Sequence, residues 1–204
     1  MFAGKNEIWI SADRRSKMVY DPATGRLNFY VDDTLVAYMT SSGITKVVAT
    51  SKRLNIPALH GKAGATAGWV ITGSTNLPLA TLPASQTGST LVVPLVGLEV
   101  GDVLASVEVH GQVDSAGNAV TVAATVRKVK SDAAGGHTDS EVVASANIAN
   151  AVTADTLIDA TLTPAGTVTV ADDESYYVLL TGTTLGTTDV EISNFVANVT
   201  RPTL

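Results

Sequence analysis

The chain has 204 residues, 45% hydrophobic but only 5% aromatic, with 17 Gly, 7 Pro and no Cys. The lack of cysteine excludes disulfide staples, Cys-based zinc sites and thiol catalysis, and no run of about 18 apolar residues is present to cross a membrane as a helix. The net charge of −6 is unevenly divided: residues 1–62 hold nine Lys and Arg against five acids (net +4), and residues 63–204 hold four against fourteen (net −10).

The 27 Val and 27 Thr favour strands, because β-branched side chains fit a pleated surface. No stretch sustains a helical period with caps, so the sequence predicts an all-β protein. The opening, MFAGKNEIWISADRR, lacks the continuous apolar run of a signal peptide. In residues 6–20, Ile8 and Ile10 alternate with Trp9, and Met18 and Tyr20 resume the alternation after a polar turn. DPATGR follows as a turn, with Pro22 fixing φ and Gly25 supplying a positive φ. Leu27, Phe29 and Val31 then share one face, opposite Asn28, Tyr30 and Asp32. Asp32-Asp33-Thr34 turns the chain, and a strand from Leu35 to Met39 ends at Ser41-Ser42-Gly43. Residues 1–48 therefore read as an N-terminal β-hairpin arm of three or four short strands, too small to bury a core alone.

Residues 49–81 are rich in Gly, Ala, Thr and Pro and show few periodic runs. They read as a connector, which puts a domain boundary near residue 81. From Leu82 the pattern becomes regular. Strand-like runs at 90–96, 102–113, 119–130, 140–145, 155–163, 166–171, 175–181 and 189–200 are separated by Gly- and Asp-rich turns. Eight strands at this spacing predict a jelly-roll-like β-sandwich over residues 82–204. In DVLASVEVHGQV, Val103, Ala105, Val107, Val109 and Val113 are expected on the core face. Phase slips near Arg127-Lys128-Val129 and Ser193-Asn194 read as bulges.

The sequence holds no nucleophile elbow and no phosphate-binding loop; HGKAGATAG (60–68) lacks the required spacing. His60, His110 and His137 stand apart without metal-ligand spacing, and His110 falls on the polar face of its strand. Asp172-Asp173-Glu174 offers oxygen ligands for calcium, but it is also an ordinary turn between strands. The run Arg14-Arg15-Ser16-Lys17 has neither the surrounding cations nor the aromatic platforms of a nucleic-acid site. Neither a catalytic, a cofactor nor a metal site is expected, and neither nucleic acid nor membrane is expected as a partner.

Gly25 to Ile44, GRLNFYVDDTLVAYMTSSGI, resembles a short element of tailed-bacteriophage virion fibres, in which a G-x-L-x-F strand, a tight turn, a second strand and S-S-G recur and three chains intertwine. The stretch LPASQTGSTLVVPLVGLEVGD and the Val/Thr/Ala-rich sandwich after it are similar in texture to phage decoration and head-fibre proteins. The element occurs once here, which favours a short knob on the head over a long fibre. The resemblance implies a homotrimer on a virion capsid surface, made in the host cytoplasm, with the major capsid protein as partner. The expected contact residues are Ile8, Trp9, Tyr20, Leu27, Phe29, Val31, Tyr38 and Trp69, since large apolar and aromatic anchors carry most interface energy. Packing within their own hairpin is the alternative for each. A receptor-binding tail protein would instead use the sandwich loops 114–118, 131–139 and 182–189. A sandwich-fold glycosidase would need convergent carboxylates, and no spacing identifies any.

Overall fold

A computed structural model describes residues 7–10, 16–32, 34–46, 49–66, 68–73, 78–114, 117–132 and 134–201. The chain divides into two units, Met1–Ser51 with Thr200–Leu204 and Lys52–Val199.

The first unit is a five-stranded antiparallel meander in chain order: β1 (Glu7–Trp9), β2 (Ser16–Asp21), β3 (Arg26–Val31), β4 (Thr34–Thr40) and β5 (Gly43–Lys46). Its turns follow the residues that form them. Between β2 and β3, Asp21 accepts hydrogen bonds from the Ala23 amide (3.0 Å) and the Thr24 hydroxyl (2.6 Å), and Gly25 takes φ +65°. Those bonds, the Thr24 one foremost, hold the Asp21 pKa below its ordinary value. The arm is thus a five-stranded sheet instead of three or four strands, because residues 43–46, at and past the Ser41-Ser42-Gly43 stop, add an edge strand.

The second unit holds β6 (Thr50–Pro57) from Lys52 on, a 3-10 turn (Ala58–His60), β7 (Lys62–Ala63), β8 (Val70–Gly73), β9 (Pro78–Leu82), β10 (Ser89–Pro94), β11 (Val103–Asp114), β12 (Val120–Ser131), β13 (His137–Val152), β14 (Thr156–Leu162), β15 (Val168–Thr169), β16 (Glu174–Thr184) and β17 (Asp189–Arg201). One sheet runs β13-β12-β16-β10-β7. The other runs β14-β11-β17-β9-β8, with β15 on β11 and β6 on β17. The antiparallel pairs are nested: β12 with β13, then β11 with β14, then β10 with β16, then β9 with β17. Successive pairs alternate between the sheets, as when one long hairpin is rolled up. This is a jelly roll. Phe195, Leu91, Val93, Val109, Leu180 and Ile192 lie fully buried between the layers.

The segment 49–81 is not a connector. Its strands pair with β10, β17 and one another, and Ile56, Ala58, Trp69 and Ala80 are buried. Its small residues reflect close approach. A Cβ on Gly64 would lie 2.1 Å from the Thr90 hydroxyl, and one on Gly68 would lie 2.1 Å from that of Ser89. After β6, strands of two to five residues with Gly and Ala between them carry too few side chains to display a period.

The phase of β11 also differs from expectation. Leu104, Val107, Val109 and Val113 are buried and Ala105 is exposed, so the alternation slips between Leu104 and Val107. In β17 the buried positions pass from Val190 and Ile192 to Phe195, Ala197 and Val199, which is the slip expected at Ser193-Asn194. Near Arg127 the register shifts fall on the β12–β13 pairing, while β12–β16 runs without a break. Among the described residues no helix is long and apolar enough to cross a membrane.

Candidate functional site

Register defines the two faces of the N-terminal sheet. The turn pairing Asp21 with Arg26 sets Tyr20 opposite Leu27, and the turn pairing Thr40 with Gly43 sets Met39 opposite Ile44. The row Tyr20-Leu27-Met39-Ile44 therefore crosses four strands on one face. Beside it lies the row Ile8-Met18-Phe29-Ala37, two positions along each strand and so on the same face. Val31 and Ile10 extend the face by the same alternation. Its described side chains are apolar apart from the Tyr20 hydroxyl and Ser16. Ile8 is 61% exposed, Tyr20 48% and Ile44 65%, and no residue of this unit whose burial is described is buried.

The opposite face carries two cations over aromatic rings, with Asp21 paired to Arg26. Lys17 Nζ sits 5.0 Å from the centroid of Trp9 and 5.6 Å from that of Tyr30, and the Arg26 guanidinium lies 4.4 Å from the Tyr38 ring. Cations over ring faces at these distances are attracted by the ring quadrupole. The cross-strand neighbours Trp9, Lys17 and Tyr30 form one row of this face.

The eight expected contact residues thus divide three ways. Ile8, Tyr20, Leu27, Phe29 and Val31 share the apolar face, and Trp9 and Tyr38 lie on the cationic one. Trp69 belongs to the jelly-roll core: it is buried, and its indole Nε1 donates to the Ser89 carbonyl at 3.1 Å. A lone Trp among Gly and Ala reads as an anchor in sequence, but here those small neighbours let β10 close over it. Met18, Met39 and Ile44 complete the apolar face and escape a search for large residues alone. The pairing register read from the two turns would have found them. The basic pair Arg14-Arg15 lies outside the described residues.

Other polar groups singled out in the sequence are committed within the jelly roll. Glu174 accepts from Lys128 Nζ and from the Tyr176 hydroxyl at 2.6 Å. Burial alone would raise its pKa, but these two donors bring it below the ordinary value, and burial together with Glu174 raises that of Tyr176. Asp173 pairs with Lys130 at 3.3 Å. His60 and His137 are exposed. His110 is half-buried, with Nε2 3.3 Å from Glu108 and Nδ1 3.3 Å from Asp159. Glu108 also accepts from Asn198 (2.8 Å) and Arg53 (2.8 Å), and the Asn198 bond leads in lowering its pKa. Among the described residues no group of three or more His, Asp or Glu is arranged to hold a metal ion.

The sequence matches no protein-family model and no curated protein. Solved structures show similarity in fold. The CBM22-1 xylan-binding domain of Paenibacillus barcinonensis Xyn10C is 13% identical, with a TM-score of 0.43 over 74% of this chain and 96% of that one. The VP2 subviral particle of infectious bursal disease virus is 12% identical, with a TM-score of 0.39 over 94% of this chain and 47% of that one. The enzymatically active domain of bacteriophage CBA120 tailspike protein 4 is 10% identical, with a TM-score of 0.31 over 76% of this chain and 19% of that one.

Proposed function

We propose that the chain is a non-enzymatic structural protein of a bacteriophage virion, a homotrimeric decoration protein. In this reading its N-terminal sheet joins sister copies and docks to the major capsid protein, and its jelly roll projects outward. The observation that carries the reading is the uncovered apolar face of the N-terminal sheet. A sheet with one apolar face needs a second layer, and apolar patches left open on a folded chain mark interaction surfaces. Identical copies can bring these apolar rows together, with Lys46, which register sets opposite Ala37, at the end of one row. Two such sheets would pack about 10 Å apart as a sandwich formed between chains. The opposite face offers Lys17 and Arg26, with Asp21 paired to Arg26, as polar contacts for the shell. The resemblance of Gly25–Ile44 to an intertwined fibre element supports three copies and the virion setting. Reinforcement follows mechanically, because area buried across shell subunits raises the cost of separating them.

The test is to measure mass in solution by light scattering and to locate the protein on purified particles by gold labelling with a copy count. Many copies spread over the head are expected. Tyr20→Ala and Phe29→Ala should weaken both self-association and capsid binding while the jelly roll unfolds at an unchanged temperature. A monomer whose alanine variants still bind capsids fully overturns the assignment. A few copies confined to the tail would move the function to receptor binding by the loops 114–118, 131–139 and 182–189.

A further inference from the structure

Two adjoining hollows open on the outer face of the jelly-roll sheet that contains β14, β11 and β17. The larger, about 440 Å³, includes Leu79, His110, Gln112, Leu157, Asp159 and Glu191 in its lining. The smaller, about 270 Å³, shares Gln112 and Leu157 with the first and adds Asp114 and Asp155. Together they form one groove along the β11–β14 pairing, where His110 lies opposite Asp159 and Gln112 opposite Leu157. Gln112 Nε2 donates to Glu191 Oε2 at 2.6 Å, which fixes that carboxylate from across the sheet. The floor between His110 and Gln112 is bare backbone. A Cβ on Gly111 would lie 2.2 Å from the Glu191 carbonyl oxygen. Leu157 stands 79% exposed at the rim, on the same apolar groove as Leu79.

We propose that this groove binds an extended lysine- or arginine-bearing segment of a partner protein. The cationic heads would rest on Asp159, Glu191 and Asp114, and the methylene stems along Leu157 and Leu79. Charge complementarity selects this occupant. The lining offers four carboxylates and no Lys or Arg. Carboxylates only accept hydrogen bonds, so the ligand must donate. Long cationic side chains combine an apolar stem with a donor head, which matches leucines rimmed by acids. Among the described residues the lining contains no Trp, Tyr or Phe ring on which a sugar could stack. The net charge of −10 over residues 63–204 would draw a basic segment toward this body.

The dimensions agree. From Asp155 to Asp159 the groove follows about 13 Å of strand, and side chains two apart on an extended ligand are spaced about 7 Å, one to each hollow. Asp189 adds support. Its Oδ1 is buried without a hydrogen-bond partner among the described residues, and burial, then Asp114 and Glu191, push its pKa up. A bound cation would relieve this crowding of carboxylates.

The experiment titrates the full chain with acetyl-Gly-Lys-Ser-Arg-Gly-amide, following the leucine methyl signals by NMR and the heat by calorimetry. Shifts should concentrate at Leu79 and Leu157, and affinity should fall as salt rises. The Asp159→Asn/Glu191→Gln variant should bind about tenfold more weakly. A charge-matched control, Glu141→Gln/Asp172→Asn, should bind like the parent. Leu157→Ser, at an exposed side chain that folding does not need, should also weaken binding. The proposal is overturned if the leucine methyls do not move, or if both double variants lose affinity equally. It is also overturned if a neutral xylo-oligosaccharide shifts these methyls and the peptide does not.

Discussion

Phe29 and Phe195 both lie on strands of antiparallel sheets, yet Phe195 is fully buried and Phe29 only partly covered. Both strands mix apolar and polar residues around the phenylalanine. What differs is the second layer. The jelly roll folds its own second sheet over Phe195, whereas the N-terminal meander has one layer with an open apolar face. Strand formation is a local property, and burial is a property of the stack. One chain therefore contains a unit with its own buried core and a unit whose apolar face stays exposed.

The largest effect that tests this contrast comes from truncating the two phenylalanines. Phe195→Ala should destabilise the jelly roll by about 3–5 kcal/mol, through lost transfer energy and the cavity left behind. Chemical denaturation followed through Trp69 would measure it. Phe29→Ala should leave that transition unmoved and act on association instead. Equal effects of both substitutions on the jelly-roll transition would erase the distinction between the units. Next in size is Gly111→Ala, which forces a methyl against the Glu191 carbonyl and should cost about 1–3 kcal/mol through overpacking.

The same contrast explains what the sequence makes legible. From Leu82 on, β-branched alternation punctuated by Gly and Asp turns locates most of the main strands to within a few residues, while β13 extends seven residues past the expected 140–145 and β15 shrinks to Val168–Thr169. The jelly-roll class follows from their number, but the nested pairing does not, since it depends on contacts such as Val190 with Leu82, more than a hundred residues apart. Residues 49–81 mislead because their Gly and Ala are steric clearances, which resemble a flexible linker in one dimension. Large apolar residues alone do not define a face, so the expected contact residues scatter over two faces and, with Trp69, into a core. The groove is illegible because His110, Asp159 and Glu191 meet only when β11, β14 and β17 lie side by side.

Acid chemistry gives a smaller effect with a definite sign. Asp139 and Glu174 have pKa values below their ordinary 3.8 and 4.5, with the Arg127 hydrogen bond leading the shift for Asp139. Their stabilisation is complete above those ordinary values and is lost as pH falls through the lowered ones. Asp189 runs the other way. Its pKa is raised above 3.8 by burial, Asp114 and Glu191, so its charge weakens the fold at neutral pH and the penalty fades as it takes up a proton. Asp189→Asn should raise the jelly-roll melting temperature at pH 7, and the gain should shrink as pH falls through the raised pKa toward 3.8. A gain that stays constant with pH would mean that packing, not charge, is responsible.

The smallest effect belongs to the unit without a core. Lys17 bridges Trp9 and Tyr30 on the cationic face, and exposed cation–π contacts contribute about 0.5–1 kcal/mol. In the jelly roll such an energy would vanish beside the buried residues. In a single-layer sheet it is a large share of what holds neighbouring strands in register. Lys17→Met keeps the stem and removes the charge, so it isolates the electrostatic part. The chain's two tryptophans separate the readouts, since Trp9 reports on the sheet and Trp69 on the jelly roll. In a Trp69→Phe background, Lys17→Met should lower the midpoint of the Trp9 fluorescence transition. In a Trp9→Phe background, the Trp69 transition should stay in place. If both transitions moved together, the two units would unfold as one, and the sheet would draw its stability from the jelly roll instead of from the partner proposed for its apolar face.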